Sequence, residues 1–167
     1  MKSSIELKIV TLDKLKELLE SDRKVGRKIV STSGCFDIVH AGHVMYLEEA
    51  RQKGDRLVVL LNSDSSVKAL KGNTRPIVPE KERAIVIAAL SSVDYVCIFS
   101  SQTPCSIIGE IKPDIVVKGG DYDGKWIPEM DTVAVYGGKV EYVNIVEGCS
   151  TTNIVNKIEQ MVRNKQL

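Results

Sequence analysis

The chain has 167 residues, enough to bury a proper core, with 43% hydrophobic and 27% charged residues and a net charge of +1. That near-neutral balance excludes a broad electrostatic field for nucleic acid or anionic membranes, and no apolar run is long enough to span a bilayer. The first six residues are polar and the four cysteines form no CxxC pair, so the chain reads as a cytoplasmic protein with reduced thiols.

Residues 1–26 are predicted to form an N-terminal helical extension. Leu12, Leu15, Leu18 and Leu19 recur at helical spacing, Thr11 offers a start and Gly26 a stop. This helix reads as packing, without chemistry. Residues 28–162 are predicted to form the core of a single domain covering 1–167. Lys28-Ile29-Val30-Ser31-Thr32 reads as the first strand, and Val44–Arg51 as the helix after it. Between them lies Ser33-Gly34-Cys35-Phe36-Asp37-Ile38-Val39-His40-Ala41-Gly42-His43, which holds both of the chain's histidines.

A strand-to-helix turn lies at the carboxyl edge of an α/β sheet, where ligands usually bind. His40 and His43, three apart, share one helical face, and Gly42 lets a large group approach the backbone. Structural packing and a metal site shared with Asp37 are the competing readings. The latter lacks further His or Cys ligands nearby. A phosphate site at the free N–H groups of a helix start is the leading one.

The continuous apolar run Arg56–Leu61 is predicted to be a buried parallel strand ending in Asn62-Ser63-Asp64, which serves as a helix cap, a hydroxyl contact for a ligand, or both. Ser66–Pro76 reads as a loop carrying Lys68, Lys71 and Arg75. It is either a solvated basic loop or a clamp that neutralises polyphosphate charge. Pro79 opens a helix whose apolar face is Ile85, Val86, Ala88, Ala89 and Leu90, with Arg83 near its start, where a surface ion pair with Glu80 is the plain reading.

Tyr95–Phe99 is the third strand, and Thr103-Pro104 starts a helix to about Lys112. Asp114–Lys118 is a fourth strand delivering Gly119-Gly120-Asp121-Tyr122 to the same edge. A short helix over 128–136 and a fifth strand over 139–145 follow. The last loop, Glu147-Gly148-Cys149-Ser150-Thr151-Thr152-Asn153, has more hydroxyls than one helix cap needs, and either caps the final helix or binds a terminal phosphate. The alternation predicts an α/β fold: a doubly wound, Rossmann-like, five-stranded parallel sheet with helices on both faces.

No GxSxG, Walker sequence or GxGxxG is present, and Cys35 has no activating setting. Phosphate-stabilising groups without a protein nucleophile suit direct transfer between two substrates.

His40-Ala41-Gly42-His43 after Gly34-x-Phe36-Asp37, with Ser150-Thr151-Thr152 opening the last helix, resembles the HxGH nucleotidylyltransferases of the cytidylyltransferase-like superfamily. With Asn62-Ser63-Asp64, Lys71-Gly72-x-x-Arg75-Pro76, Lys118-Gly119-Gly120-Asp121-Tyr122 and Gly148–Asn153, the pattern is most similar to the adenylyltransferase domain of bacterial ADP-heptose synthase. The resemblance implies transfer of AMP from ATP, carried with Mg²⁺, to D-glycero-β-D-manno-heptose 1-phosphate, giving ADP-heptose and pyrophosphate. No residues are assigned to a resident metal.

By the same resemblance, His40, His43, Lys71 and Lys68 are catalytic. Gly34, Cys35, Phe36, Gly42, Lys118, Gly119, Gly120, Asp121, Tyr122, Ser150, Thr151 and Thr152 face the nucleotide, and Asp37, Asn62, Asp64, Arg75 and Arg83 face the acceptor, Arg83 at its phosphate. A homodimer and a standalone domain, lacking the sugar kinase often fused to it, are also implied. In related glycerol-3-phosphate cytidylyltransferases an Arg-Thr pair precedes the last Glu-Gly turn. Ile145 and Val146 stand there here, against that substrate. The alternatives are a cytidylyltransferase acting on glycerol 3-phosphate or another polyol or sugar phosphate, and a non-catalytic nucleotide-binding regulatory module. A tRNA-synthetase fragment shares an HxGH-like site, but this chain lacks room for an anticodon domain.

Overall fold

A computed structural model describes residues 3–144, 146 and 148–166. Five strands, β1 (Ile29–Gly34), β2 (Arg56–Asn62), β3 (Tyr95–Phe99), β4 (Ile115–Gly119) and β5 (Lys139–Val143), form one sheet in the order β3-β2-β1-β4-β5. Every pairing is parallel, as the strand–helix alternation predicts. The order reverses between β1 and β4, which opens a crevice at their carboxyl ends.

Among the described residues, seven α-helices connect and flank the strands: α1 (Leu12–Lys24), α2 (Ala41–Arg51), α3 (Asp64–Lys71), α4 (Glu80–Ala88), α5 (Cys105–Ile111), α6 (Pro128–Ala134) and α7 (Thr151–Arg163). The strand pleat sends successive side chains to opposite faces. Leu57, Val59 and Leu61 of β2 therefore join Val30, Leu47, Ala84, Ile87 and Val117 on one face, under α2 and α4. Val58 and Leu60 join Leu15, Leu19, Ile108, Val116 and Val133 on the other, under α1, α5 and α6. Because β2 is covered on both sides, its apolar run shows no alternation in sequence.

Three helix starts, those of α1, α3 and α7, carry the expected side-chain cap, whereas α5, expected to start at Thr103-Pro104, begins at Cys105 without one. The Thr11 Oγ1 accepts from Lys14 N–H at 3.4 Å and the Ser150 Oγ accepts from Asn153 N–H at 3.0 Å. Gly26 closes α1 with φ +76°. At the opposite, amino edge of the sheet, the buried Asp22 of α1 accepts from Arg27 at 2.5 Å, Arg56 at 3.1 Å and Tyr95 Oη at 3.0 Å, tying α1 to β2 and β3.

Two expectations are corrected. The first half of the segment read as a basic loop is α3, because the Ser63 Oγ caps Ser66 N–H at 3.2 Å and Val67 is completely buried. Burial of that side chain, added to the cap, outweighs the polar composition. On α4, Ile85 and Val86 are 46% and 45% exposed, while Ala84, Ile87 and Ala88 face the sheet. A run of consecutive apolar residues covers more of a helix than the one stripe that can pack.

Candidate active site

A cleft of about 330 Å³ opens at the crevice between β1 and β4. Its walls come from the end of β1 and the turn after it, the first turns of α2 and α7, Lys71 at the end of α3, and Gly119. Two helix amino ends therefore meet there. First-turn N–H groups lack intrahelical partners and carry the positive end of the helix dipole, so the cleft favours an anion.

The packing that brings the two helices together needs glycine. A Cβ on Gly42 would lie 2.8 Å from the Cβ of Cys149 and 3.1 Å from the His40 ring. The large group anticipated beside Gly42 is thus the loop before α7, with the His40 imidazole. The Thr151 Oγ1 donates to Ile38 C=O at 3.4 Å and closes the same contact. Gly34 is required for a similar reason: its Cβ would meet the Phe36 ring at 2.8 Å, and Phe36 itself holds a left-handed φ of +44°.

His40 caps α2 and His43 sits in its first turn, with ring centroids 3.9 Å apart and nearly parallel. Phe36 tilts against His43 at 5.2 Å. Burial depresses His40, and burial followed by the neighbouring His40 and Lys71 holds His43 down at about 4. Both rings are therefore neutral near pH 7, each carrying one N–H. The Nδ1 atoms of both are buried without a hydrogen-bond partner among the described residues. Burial pushes the Cys35 thiol up, so it is a poor nucleophile.

Of the cations, Lys71 is exposed and reaches the cleft wall, while Lys68, one turn earlier on α3, is exposed and does not line it. Asp37 is buried and accepts from Arg75 Nε at 2.5 Å, Ile77 N–H at 2.8 Å and Val78 N–H at 2.9 Å. Burial alone would raise its carboxyl, but those donors outweigh burial and hold it below the usual carboxylate range. Asp37 thus lines the cleft while latching the 75–78 segment. Arg75 keeps one buried nitrogen, Nη2, without a partner among the described residues.

Arg83, Asn62 and Asp64, read as acceptor contacts, meet one another behind the cleft. Arg83 is 1% exposed, and neither an acceptor phosphate nor a surface pair with Glu80 fits that burial. Its Nη1 donates to Cys35 C=O at 2.5 Å and Asn62 C=O at 2.9 Å, its Nε to Val78 C=O at 2.9 Å, and its Nη2 to Asp64 Oδ1 at 2.7 Å. Every guanidinium nitrogen has a partner, so this residue builds the edge. Asn62 donates from Nδ2 to Ser66 Oγ at 2.8 Å, and Glu80 accepts the Asp64 N–H at 2.7 Å.

Gly119 lines the cleft, and Gly120 follows it in a single 3-10 turn, Gly120–Tyr122. Tyr122 is 43% exposed, and the Asp121 side chain lies outside the described residues. Of the two positions weighed against a glycerol phosphate substrate, Ile145 also lies outside them, and Val146 is 38% exposed. Ser150, Thr151 and Thr152 all line the cleft, as do Ser33, Tyr46 and Cys149, which were not among the expected site residues. Tyr46 had a legible signal, since it lies three residues after His43 on the same helix face. Its Oη donates to Val117 C=O at 3.0 Å, fixing α2 to β4.

Replacing Arg83 by methionine strands Asp64 and three carbonyls, and is expected to cost about 3–5 kcal/mol in urea unfolding. A loss below about 1 kcal/mol with abolished turnover would instead put the guanidinium on substrate. His43 gives a pH signature. The unfolded imidazole takes up its proton near 6.5 and the folded one near 4, so the unfolded state binds more protons between these values. Stability therefore falls as pH drops through that window, by on the order of 3 kcal/mol from this group. His43→Asn should remove that part of the acid loss between pH 7 and pH 4.5, and an unchanged acid loss would refute the buried neutral ring.

Among known proteins, the family model described as cytidylyltransferase-like matches residues 31–159. The bifunctional protein HldE of Pectobacterium carotovorum subsp. carotovorum is 52% identical over 151 residues, covering 90% of this chain and 32% of that protein. HldE of Geobacter metallireducens is 50% identical over 156 residues, covering 93% and 32%. The chain thus spans about a third of the length of the curated relatives it matches. Among solved structures, the lipopolysaccharide core biosynthesis protein from Thermoplasma volcanium GSS1 superposes with a TM-score of 0.59 at 33% identity, covering 72% of this chain and 98% of that one. With a family match across most of its length, and with two helix amino ends and paired histidines around its cleft, this chain belongs to the cytidylyltransferase-like family and is a nucleotidyltransferase.

Proposed function

We propose that this chain transfers AMP from ATP to D-glycero-β-D-manno-heptose 1-phosphate, releasing pyrophosphate and forming ADP-heptose for a surface glycan. The observation that carries the transferase chemistry is the convergence of two helix amino ends, two neutral stacked imidazoles and Lys71 on one cleft. The similarity to HldE over 90% or more of the chain supports the choice of substrates.

In this reading a phosphate oxygen of the sugar 1-phosphate attacks the α-phosphorus of ATP in line. The bond from that phosphorus to the bridging oxygen breaks, and pyrophosphate carries away the electron pair. No proton has to be removed from the attacking phosphate, so no protein base is needed. His40 and His43 donate hydrogen bonds to the α-phosphate oxygens as negative charge redistributes. Because the rings are neutral, their stacking carries no like-charge repulsion. Lys71 balances the charge of the departing pyrophosphate, with Lys68 one turn behind it. The first-turn N–H groups of α7 and the Ser150 and Thr152 hydroxyls hold the β- and γ-phosphates, while Thr151, whose hydroxyl donates to Ile38 C=O, fixes α7 in place beside them. Mg²⁺ arrives on the triphosphate as part of the substrate.

Pyrophosphate release with Mg²⁺, crossing ATP and CTP against heptose 1-phosphate and glycerol 3-phosphate, tests the assignment. Release is expected for ATP with the heptose, and release only for CTP with glycerol 3-phosphate would overturn it. His43→Ala should lower kcat by about two to three orders of magnitude, the cost of removing one preorganised donor, with the urea midpoint at pH 7 retained. A near-normal rate would remove His43 from the chemistry.

A further inference from the structure

Lys118, next to the cleft-lining Gly119 near the end of β4, has a charge that is already partnered. Its ammonium lies 2.5 Å from the Glu129 carboxylate and donates to the Ser33 Oγ, on the cleft wall, at 3.1 Å. Both charged side chains are more than four-fifths buried, at 14% and 7% exposure. Glu129 stands in the first turn of α6, a helix that packs against α5 and β5. The pair therefore joins the end of β4 to the start of α6 and spans the root of the intervening segment, 120–127. That segment carries the Tyr122 ring, 5.9 Å from the same ammonium, and Trp126, which is 68% exposed and is the chain's single tryptophan. Gly124, with φ +73°, makes the turn at its middle.

We infer that Glu129 is a positioning residue for nucleotide binding: it neutralises Lys118 and turns it from a phosphate ligand into a brace that holds the 120–127 segment beside the cleft. The inference rests on the transferase reading above for the identity of the nucleotide. A lysine already ion-paired gains little by moving to a phosphate, since it must first leave a desolvated carboxylate uncompensated. A segment clamped at both roots, by contrast, loses less conformational freedom when a ligand closes against it.

The two roles for Lys118 predict opposite signs. If Lys118 were a phosphate ligand restrained by Glu129, removing the carboxylate charge would tighten ATP binding. As a brace, Glu129→Gln should weaken it. We expect the Kd and KM for ATP to rise about tenfold in Glu129→Gln and in Lys118→Met, the loss of one charge-assisted contact, with kcat changed less than twofold. The double variant should be no weaker than either single one, because both remove the same pair. Lys118→Arg, which keeps the ion pair, should stay near wild type. In ligand-free protein the anisotropy of Trp126 emission should fall in Glu129→Gln as the segment loosens. ATP binding as tight as wild type or tighter in Glu129→Gln overturns the inference, as do additive losses in the double variant. A wild-type protein that binds no nucleotide overturns the transferase reading itself. Equal affinities of wild type and Glu129→Gln overturn only the brace.

Discussion

The carboxyl edge of this sheet depends on one buried guanidinium. Arg83 of α4 binds the carbonyls that end β1 and β2, the carbonyl of Val78 and the carboxylate that starts α3. Strand ends and loop starts present polar backbone groups that water would otherwise solvate. Packing a cleft against them removes that water, and an arginine with several fixed donors replaces it. Asp37 does the same for the 75–78 segment from the other side. Together the two residues tie the ends of β1 and β2, the start of α3 and the 75–78 segment to one another beside the cleft.

Beside those ties the site is built mainly from backbone polarity and neutral rings. Two helix amino ends supply oriented N–H groups, and the close approach of α2 to the loop before α7 is possible because position 42 has no Cβ. The histidines are kept neutral by burial. A pair of charged imidazoles at 3.9 Å would repel each other and would not stack in this way. A cleft that favours anions through dipoles and neutral donors, with the exposed charge of Lys71 at its rim, suits the phosphate chemistry of a nucleotidyltransferase.

Ionic pairing divides the basic residues into two kinds. Arg83, Arg75 and Lys118 are paired with Asp64, Asp37 and Glu129, and shape the walls. Lys68 and Lys71 stand exposed on α3. By residue type the five are indistinguishable, and each is a reasonable phosphate ligand. Burial and partner decide between them. A desolvated cation already satisfied by a carboxylate is costly to redirect, whereas an exposed one on a short helix reorients freely.

Local order along the chain determined the alternation of strands and helices, the parallel sheet, and the placement of the His40–His43 turn and the Ser150–Thr152 cap at helix amino ends facing one cleft. Each rests on short-range physics: strand runs, cap residues, and a glycine between two histidines. Tertiary structure decided how far the helix capped by Ser63 runs, through burial of Val67, and the exposure of Ile85 and Val86, where the sheet accepts only one stripe of α4. It also decided that Arg83 faces inward and that Lys118 meets Glu129. Those two pairings join residues 19 and 11 positions apart through the packing of separate elements. Side-chain chemistry is local, but the partner that satisfies a buried charge is chosen by which elements the fold brings together.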